Sequence, residues 1–146
     1  MKFAEGDLGL ARRALKIGLG VGPIITGIDK YFDKLANWEM YLSPVATKVV
    51  PVSATTFMHA VGIIEIVAGL IVLSRWTTIG SYIVMFWLLG IVGNLLTTGM
   101  FSDLAMRDVE IAIGAFALSQ LSTMHDRRTA AGKTTETPDS QVAATL

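Results

Sequence analysis

Six side chains in this sequence could do chemistry in surroundings where charge is expensive. Glu65 stands inside the apolar run Gly62-Ile63-Ile64-Glu65-Ile66-Val67-Ala68-Gly69, with His59 before it. Asn94 lies near the end of a second apolar run, and Arg107, Asp108 and Glu110 crowd the start of a third. A carboxylate in an apolar medium must be paired or protonated, so Glu65 is a candidate binding or proton-handling group. His59 could hydrogen-bond a carbonyl or relay a proton, although a lone histidine near a surface is commonly just solvated. Asn94 could offer its amide to a ligand or serve as a bridge between helices.

The elements that must hold these groups are long apolar blocks. The chain has 146 residues, enough for one domain, with 52% hydrophobic and only 16% charged residues, where soluble proteins carry about 25% charged. Four blocks, about 16–32, 56–73, 76–98 and 104–124, each approach the ~20 residues that a helix needs to cross ~30 Å of hydrocarbon. The expected fold is all-α: an integral membrane four-helix bundle, antiparallel, in a single domain over 1–124. Gly18, Gly20, Gly22, Pro23 and Gly27 in the first block would spoil a soluble helix but are tolerated in a membrane one. A cleaved leader is the rival reading of that block, since Arg12, Arg13 and Lys16 precede it. Asp29-Lys30-Tyr31 follows it without a small-x-small cleavage pattern, so the block is expected to be retained.

The joint Ser74-Arg75 makes blocks two and three a hairpin. The connection 33–53, with Trp38, Tyr41, Pro44 and Pro51, reads as a stiff aromatic segment on the membrane surface, able to cap the bundle. Residues 125–146 are Thr, Ala, Ser and charge, and are expected to be a disordered tail. Lys2, Arg12, Arg13, Lys16, Arg75, Arg127, Arg128 and Lys133 collect on one side, whereas the other side mixes Lys30, Lys34, Lys48 and Arg107 with acids. The positive-inside bias then places both termini in the cytoplasm and the 33–53 loop outside.

Depth and helical phase bring the chemistry together. At 1.5 Å per residue Glu65 lies about 12 Å below the outer edge, His59 is shallower, and Asn94, Arg107, Asp108, Glu110 and Asp29 fall in the same half. Met58, Gly62, Glu65 and Gly69 share one face of their helix, a small-residue stripe that lets another helix approach. Asp108, Ala112, Ala115 and Ser119 make a similar stripe in block four, Arg107, Glu110 and Gly114 a second, and Val109, Ile113 and Phe116 are left for lipid. Arg107 is the arginine at the depth of Glu65, so a Glu65–Arg107 ion pair is expected, completed by Asp108, Glu110 and Asn94. The same pair could serve only as a clamp between spans.

Other chemistries are excluded or unsupported. The 12 basic and 12 acidic residues balance, which argues against nucleic acid as a partner. The chain has no cysteine, which removes disulfides, iron–sulfur clusters and thiolate metal sites. No metal site is expected. His59 and His125 lie on opposite sides of the bilayer in this topology, which rules out a haem held between them. The run Gly18-x-Gly20-x-Gly22-Pro23 follows no strand and fails as a nucleotide loop. Trp76, Tyr82, Phe86 and Trp87 read as lipid-facing or interface anchors. No nucleophile–base pair is apparent, so an autonomous enzyme is not expected. A carrier or channel finds no inverted repeat and no polar path through the inner half.

The Gly62 to Leu73 segment, the hairpin span after it and Arg107-Asp108 opening the last helix resemble the DoxX family of small four-span bacterial membrane proteins. Gly27-Ile28-Asp29-Lys30 and the loop Trp38-Glu39-Met40-Tyr41-Leu42-Ser43-Pro44 fit the same resemblance, which covers roughly residues 14–122. It implies a place in the bacterial inner (plasma) membrane. Members of the family include the membrane subunit of a thiosulfate:quinone oxidoreductase and a membrane partner of oxidative-stress enzymes. By resemblance, then, the chain is expected to be an accessory or anchoring subunit of a redox complex. It would face quinone through a pocket of Glu65, Asn94, Arg107, His59, Asp108 and Glu110, with no cofactor of its own. The alternatives are a purely structural or assembly subunit and a small-molecule binding or transport protein. Membrane lipid and either other subunits or a homo-oligomer are the expected partners.

Overall fold

The computed structural model describes residues 5–134. They form five α-helices: α1 (Glu5–Asp29), α2 (Pro44–Val49), α3 (Ala54–Leu73), α4 (Thr77–Thr98) and α5 (Ser102–Thr134), with a 3₁₀ turn over Trp38–Tyr41. There is no strand among the described residues. The four long helices run alternately up and down. Lys16 of α1 donates to the carbonyl of Ser74 in the α3–α4 turn, and Arg12 to Ser122 of α5. One end of the bundle therefore holds the start of α1, the later part of α5 and the short turn, and the other holds the long connection.

Local signals set the boundaries of the middle helices. Ser53 caps α3 by accepting from the Thr56 amide at 3.1 Å, as N-cap serines do. Gly99, at φ 70°, ends α4 in the left-handed conformation that glycine adopts freely. Both helices match the expected blocks within two residues, and both are long and apolar enough to cross a membrane, with mean hydropathy 2.1 and 1.9.

The outer helices differ from expectation at their free ends. α1 begins at Glu5, earlier than the apolar block, and stops at Asp29, short of residue 32. The stop follows from Asp29 itself, whose carboxylate accepts from the backbone of Lys34 and Leu35 and folds the chain back. Asp33 makes the turn at φ 48°, a conformation that a short polar side chain tolerates. α5 continues past Met124 through Thr134, so the first part of the expected disordered tail is helical. Extending an existing helix costs little compared with starting one, and Arg127, Arg128, Ala130 and Ala131 are good helix formers. The rest of that tail, like Lys2, lies outside the described residues.

The core is small. Leu19 of α1, Ala68 and Val72 of α3, Val84 of α4, and Ala115 and Leu118 of α5 are buried together. α1 and α3 meet backbone to backbone: a Cβ on Gly27 would stand 2.6 Å from the carbonyl oxygen of Gly62, and one on Gly62 2.6 Å from that of Gly27. Gly20 and Gly69 repeat this contact two turns along. The expected small-residue stripe on α3 does receive a helix, and that helix is α1. On α5 the expected stripe is also buried, as Asp108, Ala112, Ala115 and Ser119.

Candidate functional site

The two glycine contacts fix the register of α1 against α3, and the register decides what Glu65 meets. Glu65 points into the α1–α3 seam between the two crossings. There Lys30, one position beyond the end of α1, lets its four-carbon stem run back along the helix. Its ammonium donates to Glu65 Oε2 at 2.6 Å, and the side chains are only 4% and 9% exposed. Thr26, one turn earlier on α1, adds a longer donation to the same oxygen at 3.4 Å.

The expected Glu65–Arg107 pair is not formed. Arg107 turns to its neighbour Asp108 at 3.2 Å and keeps a side chain that is 61% exposed. A shared depth does not bring the two groups together when the guanidinium is bonded to its own neighbour and largely exposed. Lys30, expected among the mixed charges of the outer side, instead supplies the cation, its ammonium reaching Glu65 on a long side chain.

The connecting loop closes over this pair. The Trp38 ring lies 3.7 Å from the Lys30 ammonium, a cation–π contact, and its indole N–H donates to Asp29 at 2.9 Å. One loop residue thus covers the cation and bonds the carboxylate beside it. Tyr41 packs edge-on against both Trp38 and Phe101 of the α4–α5 turn. Asn94 of α4 completes the attachment: its side-chain N–H donates to the Tyr41 carbonyl at 2.7 Å, and its oxygen accepts from the Ser43 amide at 3.1 Å. Ser43 in turn caps α2 by accepting from Ala46. The loop does cap the bundle, and Asn94 is spent on holding it there.

The other expected residues are dispersed. His59 stacks on Tyr31, ring centroids 4.4 Å apart, and its carbonyl accepts from the Tyr31 hydroxyl. Asp108 is buried, and its carboxylate accepts from Arg107. Glu110 is exposed and lines a groove of about 470 Å³ between α1 and α5, with Leu15, Gly18, Leu19 and Gly114. Among the described residues, no hydrogen bond or ion pair joins Glu65 to Arg107, Asp108, Glu110, Asn94 or His59.

Sequence reasoning missed Lys30, Thr26 and Trp38 as members of the site. The available signal was the matching spacing of Gly20 and Gly27 with Gly62 and Gly69, which aligns α1 antiparallel to α3 and brings the Lys30 stem within reach. Trp87, expected to face lipid, instead has a buried indole nitrogen that closes no hydrogen bond and lies near enough to act on Glu65.

No protein-family model, curated protein or solved structure matches the chain. A lysine and a glutamate sealed under an indole ring, with the neighbouring carboxylate already bonded three times, form a clamp. The arrangement holds α1, α3 and the loop in one position, and leaves the ammonium–carboxylate contact covered.

Proposed function

We propose that the chain is an integral membrane protein of the DoxX type, in which α1, α3, α4 and α5 all span the bacterial plasma membrane and both termini are cytoplasmic. Its role is that of an anchoring or accessory subunit. The observation that carries this reading is where the apolar surface lies. Ile17, Ile63, Ile79, Phe86 and Ile113, from four different helices, are 55–66% exposed, while Lys30 and Glu65 are folded inward and paired. A water-soluble bundle would reverse that arrangement, since large contiguous apolar surfaces in solution mark interaction sites. Arg12, Arg13, Lys16, Arg75, Arg127 and Arg128 gather at the end with the short turn, which supports the cytoplasmic placement of that end.

The covered Lys30–Glu65 clamp favours a subunit that offers surfaces over one that turns over a substrate. A redox complex as the host is supported by the resemblance, through the family's quinone-linked relatives. One feature favours a small apolar ligand such as a quinone: the α1–α5 groove is lined mainly by apolar side chains, Leu15, Leu19 and Ile111 among them. The test is purification of the tagged chain from its own membranes in mild detergent, with mass spectrometry of everything that co-elutes. A stoichiometric protein partner carrying redox cofactors is the expected result. Elution of the chain alone, without quinone, would overturn both the subunit and the quinone readings.

A further inference from the structure

The end of the bundle that holds the start of α1 and the short turn has a cavity of its own. About 70 Å³ between α1 and α5 is lined by Leu8, Arg12, Leu121, Met124, His125 and Arg128. Arg12 is half-buried and held in place: its Nε donates at 3.2 Å to the hydroxyl of Ser122, a residue with no exposed surface. Of the five guanidinium donors this uses one, and the two terminal amino groups close no hydrogen bond among the described residues. A guanidinium gripped at Nε and open at its fork presents two parallel N–H groups, the pattern that fits two oxygens of a phosphate.

The rest of the cavity fits an amphiphile. His125 and Arg128 also line it, and Arg13 and Arg127 are exposed next to lining residues. Asp7 and Asp126 are the acidic side chains described at this end of the two helices, and Asp126 lies close enough to act on Lys16. The remaining walls, Leu8, Leu121 and Met124, are apolar and continue into the exposed hydrocarbon-like surface of α1 and α5. Basic pockets between membrane helices on the cytoplasmic side suit anionic lipid headgroups.

We infer that the cavity between α1 and α5 at Arg12 binds the phosphate group of an anionic phospholipid, with the Arg12 fork on the phosphate oxygens and an acyl chain along Leu8, Leu121 and Met124. This rests on the membrane reading above. A free phosphate would satisfy the same fork, so the test separates the two sources.

Native mass spectrometry of the purified full chain in neutral detergent would compare phosphatidylglycerol, phosphatidylcholine and inorganic phosphate. Preferential retention of phosphatidylglycerol is expected, and Arg12→Lys, which keeps the charge and loses the fork, should reduce it about tenfold. Arg13→Gln, which removes an exposed charge, should change it less than about twofold. His125→Gln provides a second variant of the cavity wall, with retention again expected to fall, and circular dichroism confirms that each variant is folded. Equal retention by Arg12→Lys and the parent, or equal loss in Arg12→Lys and Arg13→Gln, would overturn the inference. Displacement of the lipid by millimolar inorganic phosphate would overturn the lipid as the source. Carbonate washing checks the membrane reading separately. A chain that washes off overturns that reading and this one with it, whereas a chain that stays and shows no lipid preference overturns this inference alone.

Discussion

The two ends of the bundle handle charge in opposite ways. At the loop end Lys30 is matched to Glu65, Asp29 to three N–H donors, and Asn94 to two backbone groups, all under a cover of aromatic rings. At the end with the short turn, Arg12 uses one of its donors on Ser122, and Arg13 and Arg127 are exposed. The first end has used its polar groups to determine its own shape. The second leaves the fork of Arg12 without a partner among the described residues.

If the loop end is a clamp, its largest sensitivity is to losing one charge of the pair. Lys30→Ala leaves Glu65 buried without a cation and should cost about 3–5 kcal/mol, read as a lowered midpoint of unfolding by denaturing detergent. Lys30→Met combined with Glu65→Met should recover most of that loss, because two well-packed apolar groups can replace a buried ion pair. A double variant as unstable as the single one would mean that the pair does more than hold helices together.

Gly27→Val tests the register beneath the pair. Its side chain would collide with the Gly62 carbonyl, and overpacking of this kind typically costs about 1–3 kcal/mol. Gly18→Val, at a position with open space around it, should leave the unfolding midpoint nearly unchanged. Asn94→Ala, which strands the Tyr41 carbonyl and the Ser43 amide, should cost about 1–3 kcal/mol. The effect should concentrate in the loop, as faster hydrogen exchange over residues 38–49.

The smallest expected effect belongs to Arg107→Ala. Its side chain is largely exposed and bonded only to the adjacent Asp108, so the loss should stay within about 1 kcal/mol. If Arg107→Ala were instead as damaging as Lys30→Ala, Arg107 would have to face Glu65 after all.

What could be read from the residues, and what could not, follows the same division. The α3 and α4 boundaries were legible because uninterrupted apolar runs end at strong local signals, Ser53 on one and Gly99 on the other. The buried faces of α3 and α5 were legible because helical phase depends on spacing alone. The partner of Glu65 was not, since depth restricts a charge to a layer while the pairing depends on which helix is adjacent. That adjacency rests on α1 and α3 fitting glycine to glycine, across a connection whose path no local pattern specifies. The helical start of the expected tail was missed for a different reason: composition reports whether a segment can stand alone, and residues 125–134 are carried by the helix before them.

The distance along the chain between Lys30 and Glu65, 35 residues, also bears on how the protein is made. When α1 leaves the ribosome its lysine has no counter-charge, because α3 has not yet been synthesised. Until then the ammonium must stay where water or other polar groups solvate it. Only when α3 arrives can the side chain swing inward and the tryptophan close above it. α1 is thus made before α3 yet takes its final position only with it, and the clamp records the docking of these two helices.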